Sequence, residues 1–102
     1  MNGILYTQNL NRDFDILTTI LRKIEIEYIY YPKGMFTLED KQKLFEATHV
    51  ELNEIPEGMH ILQSVINDCD FVLYSKESHG RSYLGNELVR MALKSKAPCI
   101  RF

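Results

Sequence analysis

The side chains best suited to chemistry fall in the run from Ser75 to Glu87, SKESHGRSYLGNE. Gly80 and Gly85 permit close approach of backbone to a ligand. The hydroxyls of Ser78 and Ser82, with the free N–H groups at the start of a following helix, suit phosphate or carboxylate. Arg81 offers a planar guanidinium that is always charged, and Asn86 adds a side-chain amide. Neither GxxxxGKS/T nor GxGxxG occurs, and a glycine pair of this kind also fits a plain turn into a capped helix. Glu87 is the sharpest single residue. Its carboxylate can attack a sugar anomeric carbon or accept from ribose hydroxyls. An acid near a helix start also stabilises that helix by about 0.3–1 kcal/mol, and the sequence leaves both roles open. His79 has the pKa of an acid or base at neutral pH, but it equally reads as a solvated loop histidine. A second group, Tyr6, Thr7, Gln8 and Asn9, follows the first apolar run; Tyr6 could stack on a base, and Gln8 could hydrogen-bond to the ligand.

Metal chemistry finds no support in the spacing. His49 and His60 lack partner ligands, and Cys69 and Cys99 lack the close pairing of a metal site. The cysteines read as reduced, buried thiols acting as small hydrophobes. No cofactor is expected.

These groups need elements to hold them. Gly3 to Thr7 reads as a first strand. Asn11 or Asp13 could cap the helix that follows, in which Phe14, Leu17, Ile20, Leu21 and Ile24 share one face. Ile26 to Tyr31 reads as a second strand ending at Pro32. Thr37 and Asp40 form a helix-start signature, with Leu38, Leu44, Phe45 and Ala47 as a narrow apolar stripe. His49 to Asn53 reads as a short strand. A helix entered through Pro56 follows, with Met59, Leu62, Val65 and Ile66 facing the core. Phe71 to Tyr74 is a buried strand, and a helix holding Glu87 leads to a last strand near Cys99. Alternation of this kind predicts an α/β fold, a small Rossmann-like three-layer sandwich with a mainly parallel sheet of four to five strands. In such sheets ligands bind outside the carboxyl ends of the strands.

The 102 residues suit one domain spanning 1–102. Hydrophobic residues at 45% and charged residues at 25% are ordinary globular values, and a net charge of −2 gives no basic footprint for duplex nucleic acid. The first residues lack a basic segment followed by a long apolar run, and no apolar run approaches a membrane span. A cytoplasmic location without membrane contact is therefore expected.

The run Cys69-Asp70-Phe71-Val72-Leu73, followed by Gly80, Gly85, Glu87, Ala92 and Pro98-Cys99-Ile100, resembles the carboxyl half of nucleoside 2-deoxyribosyltransferase-like proteins. These belong with the Rossmann-like group that includes the lysine-decarboxylase-like nucleotide-binding proteins. The likeness covers the last third of the chain and, more loosely, Glu57-Gly58-Met59. It implies that Glu87 attacks the anomeric carbon of a nucleoside or holds its ribose. It also implies that the preceding loop binds phosphate or sugar, and that a second subunit completes the site, as in a homodimer. The family's threonine between glycine and glutamate is missing from Tyr83-Leu84-Gly85-Asn86-Glu87, and the spacing there is shorter. The first strand also lacks the family's glycine-containing loop. Those departures favour binding over catalysis. The expected function is binding of a nucleotide or nucleoside derivative, with cleavage or transfer at an N-glycosidic bond through Glu87, as a hydrolase or deoxyribosyltransferase would do. The rival readings are a non-catalytic sensor or sponge for a signalling nucleotide, encoded by a phage or mobile element, and a protein-interaction module.

Overall fold

The computed structural model describes residues 1–75 and 83–102, and only the backbone of Met59, of residues 83–87 and of Val89. The described elements alternate strictly. They are β1 (Asn2–Tyr6), α1 (Leu10–Lys23), β2 (Tyr28–Pro32), α2 (Leu38–Thr48), β3 (Glu51–Ile55), α3 (Met59–Asp68), β4 (Phe71–Tyr74), α4 (Tyr83–Lys94) and β5 (Cys99–Arg101). The five strands form one sheet in the order β3-β2-β1-β4-β5, with every pair parallel. This is the small Rossmann-like sandwich that the sequence predicts.

The side chains explain the layers. All four residues of β4 are buried, as are the last four of β1. Strands buried on both faces need helices on both sides. Successive side chains of a strand alternate between faces. Leu5, Ile29, Tyr31 and Leu73 therefore pack with Leu17 and Leu21 of α1 and Leu44 of α2. Ile4, Tyr6, Val72 and Tyr74 pack on the other side with Leu62 and Ile66 of α3 and Leu88 and Ala92 of α4.

Several boundaries differ from the sequence reading. Asn9, not Asn11 or Asp13, caps α1, its Oδ1 accepting from the Arg12 N–H at 3.1 Å. Pro32 closes β2 instead of stopping short of it, pairing in register with Ile55. A proline is tolerated there because the missing donor falls at the strand's last position. The third strand starts two residues later than His49, which adopts a left-handed φ of 58° and donates its N–H to the Phe45 carbonyl at 2.7 Å. That is a helix C-cap, and it consumes the first residues of the expected strand. Ile55 is then buried in β3, and α3 begins at Met59 after Gly58, leaving Pro56 in the connection. The Thr37–Asp40 capping box forms as expected. The stripe behind it shrinks to Leu44, because Leu38 is 83% exposed and Phe45 48%. Val65 is half-buried against the second core. Cys69 and Cys99 are free thiols, half-buried rather than fully inside, and burial pushes both up in pKa. Among the described residues no helix is long and apolar enough to cross a membrane.

Gly3 is a strand glycine with a packing reason. It sits in register with Phe71, and a Cβ there would overlap the Phe71 ring. Gly3→Ala should destabilise the fold by about 1–3 kcal/mol or more, read from the midpoint of urea unfolding. Adding Phe71→Leu should recover part of that loss. An unchanged midpoint for Gly3→Ala would contradict this packing.

Candidate functional site

The strand order sets where the polar groups meet. β1 and β4 are neighbours, yet α1 leaves β1 toward one face of the sheet and α4 leaves β4 toward the other. Connections that part in this way open a crevice at the carboxyl ends of the two strands. Among the described residues, those after β1 and after β4 line it: Thr7, Gln8 and Asn9 on one side, and Ser75 on the other.

A hydrogen-bonded network occupies the described part of this edge. Thr7 Oγ1 donates to Asp13 Oδ2 at 2.6 Å and accepts from the Asn9 N–H at 3.2 Å. Arg12 Nε lies 3.1 Å from Asp13 Oδ1, and its Nη2 lies 3.3 Å from Asp13 Oδ2. The same Nη2 reaches Ser75 Oγ at 3.3 Å, joining α1 to the end of β4. Ser75 is itself buried and donates its N–H to the Tyr6 carbonyl at 3.0 Å. Asp13 is only 8% exposed. Burial pushes its carboxyl up, but hydrogen bonds from Arg12, Thr7 and Ser75, with the Arg12 charge, outweigh that and hold it below its ordinary value. Asp13 is thus an ionised carboxylate inside the first turn of a helix, where the dipole also favours negative charge.

On the β2 side the loop contributes Met35, whose Sδ accepts the Thr7 N–H at 3.4 Å. A cleft of about 210 Å³ lies between Thr7–Asn11 and the group Met35, Phe36 and Asp40. That is below the roughly 300–1,000 Å³ of a typical ligand pocket.

The sequence-predicted residues fall into three sets. Tyr6 and Gln8 are at the crevice, with Gln8 Nε2 3.3 Å from the Tyr6 hydroxyl. The Tyr6 ring is buried among Ile4, Ile55 and Leu62, so only the edge bearing its hydroxyl meets the loop and its face is not presented to a base. Ser78, His79, Gly80, Arg81 and Ser82 lie outside the described residues. Gly85, Asn86 and Glu87 belong to the backbone of α4, and their side chains lie outside the described residues. Because α4 is described from Tyr83, Glu87 lies past its first turn rather than near the helix start that the sequence suggests. The dipole acts chiefly within that first turn, so it is a weaker reason for a glutamate here. At the end of β2, Tyr31 is buried in the core and Lys33 pairs loosely with Glu57 at 3.8 Å on the surface. Among the described residues no group of three or more His, Cys, Asp or Glu side chains could hold a metal ion.

The sequence reading assigns no site role to Arg12 or Asp13. A signal was present: Leu10, Leu17 and Leu21 stand three before, four after and eight after Asp13. An acid at that spacing lies on the apolar stripe of its own helix and needs partners. Comparison with known proteins finds no family model, no curated protein and no solved structure that matches this chain.

Asp13→Asn should destabilise the protein by about 1–3 kcal/mol at pH 7, because it weakens the bonds to Thr7 and Arg12. Folding lowers the Asp13 pKa below its ordinary 3.8. Its stabilising contribution is therefore full above that value and is lost as pH falls through the folded value. Urea midpoints taken from pH 7 downward should show the gap between wild type and variant closing in acid. A gap that stays constant to the lowest pH would contradict an ionised Asp13.

Proposed function

We propose that this chain binds a nucleotide or nucleoside-derived ligand across the carboxyl ends of β1 and β4. The observation that carries this reading is the strand order, which sets the connections after β1 and β4 on opposite faces beside a cluster of hydrogen-bonding groups. Nucleotide ligands suit such a crevice: backbone N–H groups and the positive ends of helices receive phosphate, while polar side chains receive sugar and base. The resemblance of residues 69–100 to nucleoside 2-deoxyribosyltransferase-like proteins points to the same ligand class. In this reading Ser78, Gly80, Arg81, Ser82, Gly85 and Asn86 contact the phosphate or sugar, and Tyr6 and Gln8 complete the opposite wall. The protein works in the cytoplasm, and a homodimer is compatible with the small core.

A catalytic reading follows from Glu87. Its carboxylate would attack the anomeric carbon, forming a C–O bond as the C–N bond breaks; the base leaves with the bonding pair and takes a proton from solvent water. Water or a second base would then release the sugar. The position of Glu87 beyond the first turn of α4 favours a purpose other than dipole pairing. A non-catalytic sensor or sponge shares the same crevice and differs only in returning its ligand intact.

Thermal melts with nucleosides, mononucleotides and dinucleotides test the binding claim. A specific ligand at about 100 times its dissociation constant adds roughly 2.7 kcal/mol and raises the midpoint. No shift with any of them would refute the proposal. Chromatography of the bound ligand then separates the two forms. Turnover predicts free base from wild type and none from Glu87→Ala, which still binds. Ligand recovered intact from wild type assigns the sensor role.

A further inference from the structure

The pairing of Arg12 with Asp13 goes beyond what the crevice needs mechanically. The ladder between β1 and β4 already ties the two walls, down to the Ser75 N–H on the Tyr6 carbonyl at 3.0 Å. The Arg12 side chain is 37% exposed, and a pair with one solvated partner contributes little stability. Burying the Asp13 carboxylate costs free energy that its hydrogen bonds offset. What the arrangement achieves is orientation. Nε and Nη2 meet the two oxygens of a carboxylate that is itself held by Thr7, so the guanidinium plane is fixed against a group that cannot swing.

We propose that Arg12 is a binding residue of the crevice whose guanidinium takes the phosphate group of the ligand, with Asp13 as the positioning residue that sets its plane. The inference rests on the nucleotide reading above and assigns the phosphate-binding end of that site. Three observations carry it. The first is place: Nη2 spans from α1 to Ser75 at the end of β4, along the line where the two connections part. The second is exchange. The Ser75 hydroxyl at 3.3 Å is a neutral acceptor at long range. A phosphate oxygen makes a charge-assisted bond about twice as strong, so it displaces that contact. The third is the surrounding charge. Asp13 offsets part of the Arg12 charge, so recognition depends on the direction of the N–H donors, which suits a planar fork and not a lysine. Among the described residues Asp40 is the other carboxylate at this edge, and it is engaged in its own helix cap with the Thr37 N–H at 3.1 Å. The amino end of α1, a helix of 14 residues, adds its positive pole to the same edge.

The test is calorimetric titration of AMP, GMP, CMP and UMP and of their unphosphorylated nucleosides into wild type, Arg12→Ala, Arg12→Lys and Asp13→Asn. Wild type should bind at least one nucleotide more tightly than its nucleoside. Arg12→Ala should weaken that nucleotide by about 10- to 100-fold and leave the nucleoside unchanged. Arg12→Lys should lose most of the preference, since an ammonium lacks the fork, and it carries the test should Arg12→Ala not fold. Asp13→Asn should weaken the nucleotide selectively and by less. Equal losses for nucleotide and nucleoside would assign Arg12 a structural role and overturn the proposal, as would an unchanged preference in Arg12→Lys. Wild type that binds nucleosides but shows no preference for the phosphate overturns this inference alone. Wild type that binds none of the probes overturns this inference, and the nucleotide reading falls with it if dinucleotides also leave the melting midpoint unmoved.

Discussion

Burial of β1 and β4 on both faces is the constraint from which the rest follows. Gly3 to Tyr6 and Phe71 to Tyr74 are closed to water on either side. A chain that places such strands at the centre of a sheet must supply helices to both faces. Helices on both faces require the connections to change sides once. In this order they change between β1 and β4, and the crevice is the geometric result. The Gly3–Phe71 contact belongs to the same constraint, since neighbouring central strands have room for one large ring at that register and not for an opposing side chain.

The polar network at the crevice has a different logic. A carboxylate on the apolar stripe of α1 is unfavourable unless it is satisfied, and Thr7, Arg12 and Ser75 satisfy it from three places in the chain. Those three places are the end of β1, the first turn of α1 and the end of β4. One buried charge therefore registers the two central strands and the first helix against one another at the edge where a ligand would sit. Buried ionic groups contribute little net stability compared with apolar packing. In the proposed site their value is in fixing the direction of donors, which is the property recognition requires.

Architecture was legible in the sequence because it depends on patterns longer than their errors. The run Phe71 to Tyr74 and the intervals of Leu17 and Leu21 survive a shift of boundary by two residues. The Thr37–Asp40 box was legible because both partners are local. Boundaries failed where a neighbour in space decided them. Pairing with Pro32 drew Ile55 into β3 and displaced the start of α3, and the left-handed turn at His49 delayed β3. The same limit hid the Asp13 network. Arg12 and Asp13 are adjacent in the chain, but Ser75 comes more than sixty residues later. Only the parallel pairing of β1 with β4 brings it near. Tyr6 shows the reverse: it lies at the right strand end, but alternation turns its ring into the second core instead of toward a ligand.

Ligand binding is proposed for the carboxyl edge between β1 and β4. Amide chemical-shift mapping during titration with a mononucleotide tests it most directly. The account predicts that the largest shifts fall on Thr7, Gln8, Asn9, Arg12, Asp13 and Ser75, with the amino-edge amides of Asn2, Tyr28 and Cys69 unmoved. Shifts concentrated at Asn2, Tyr28 and Cys69, or none at saturating nucleotide, would contradict it.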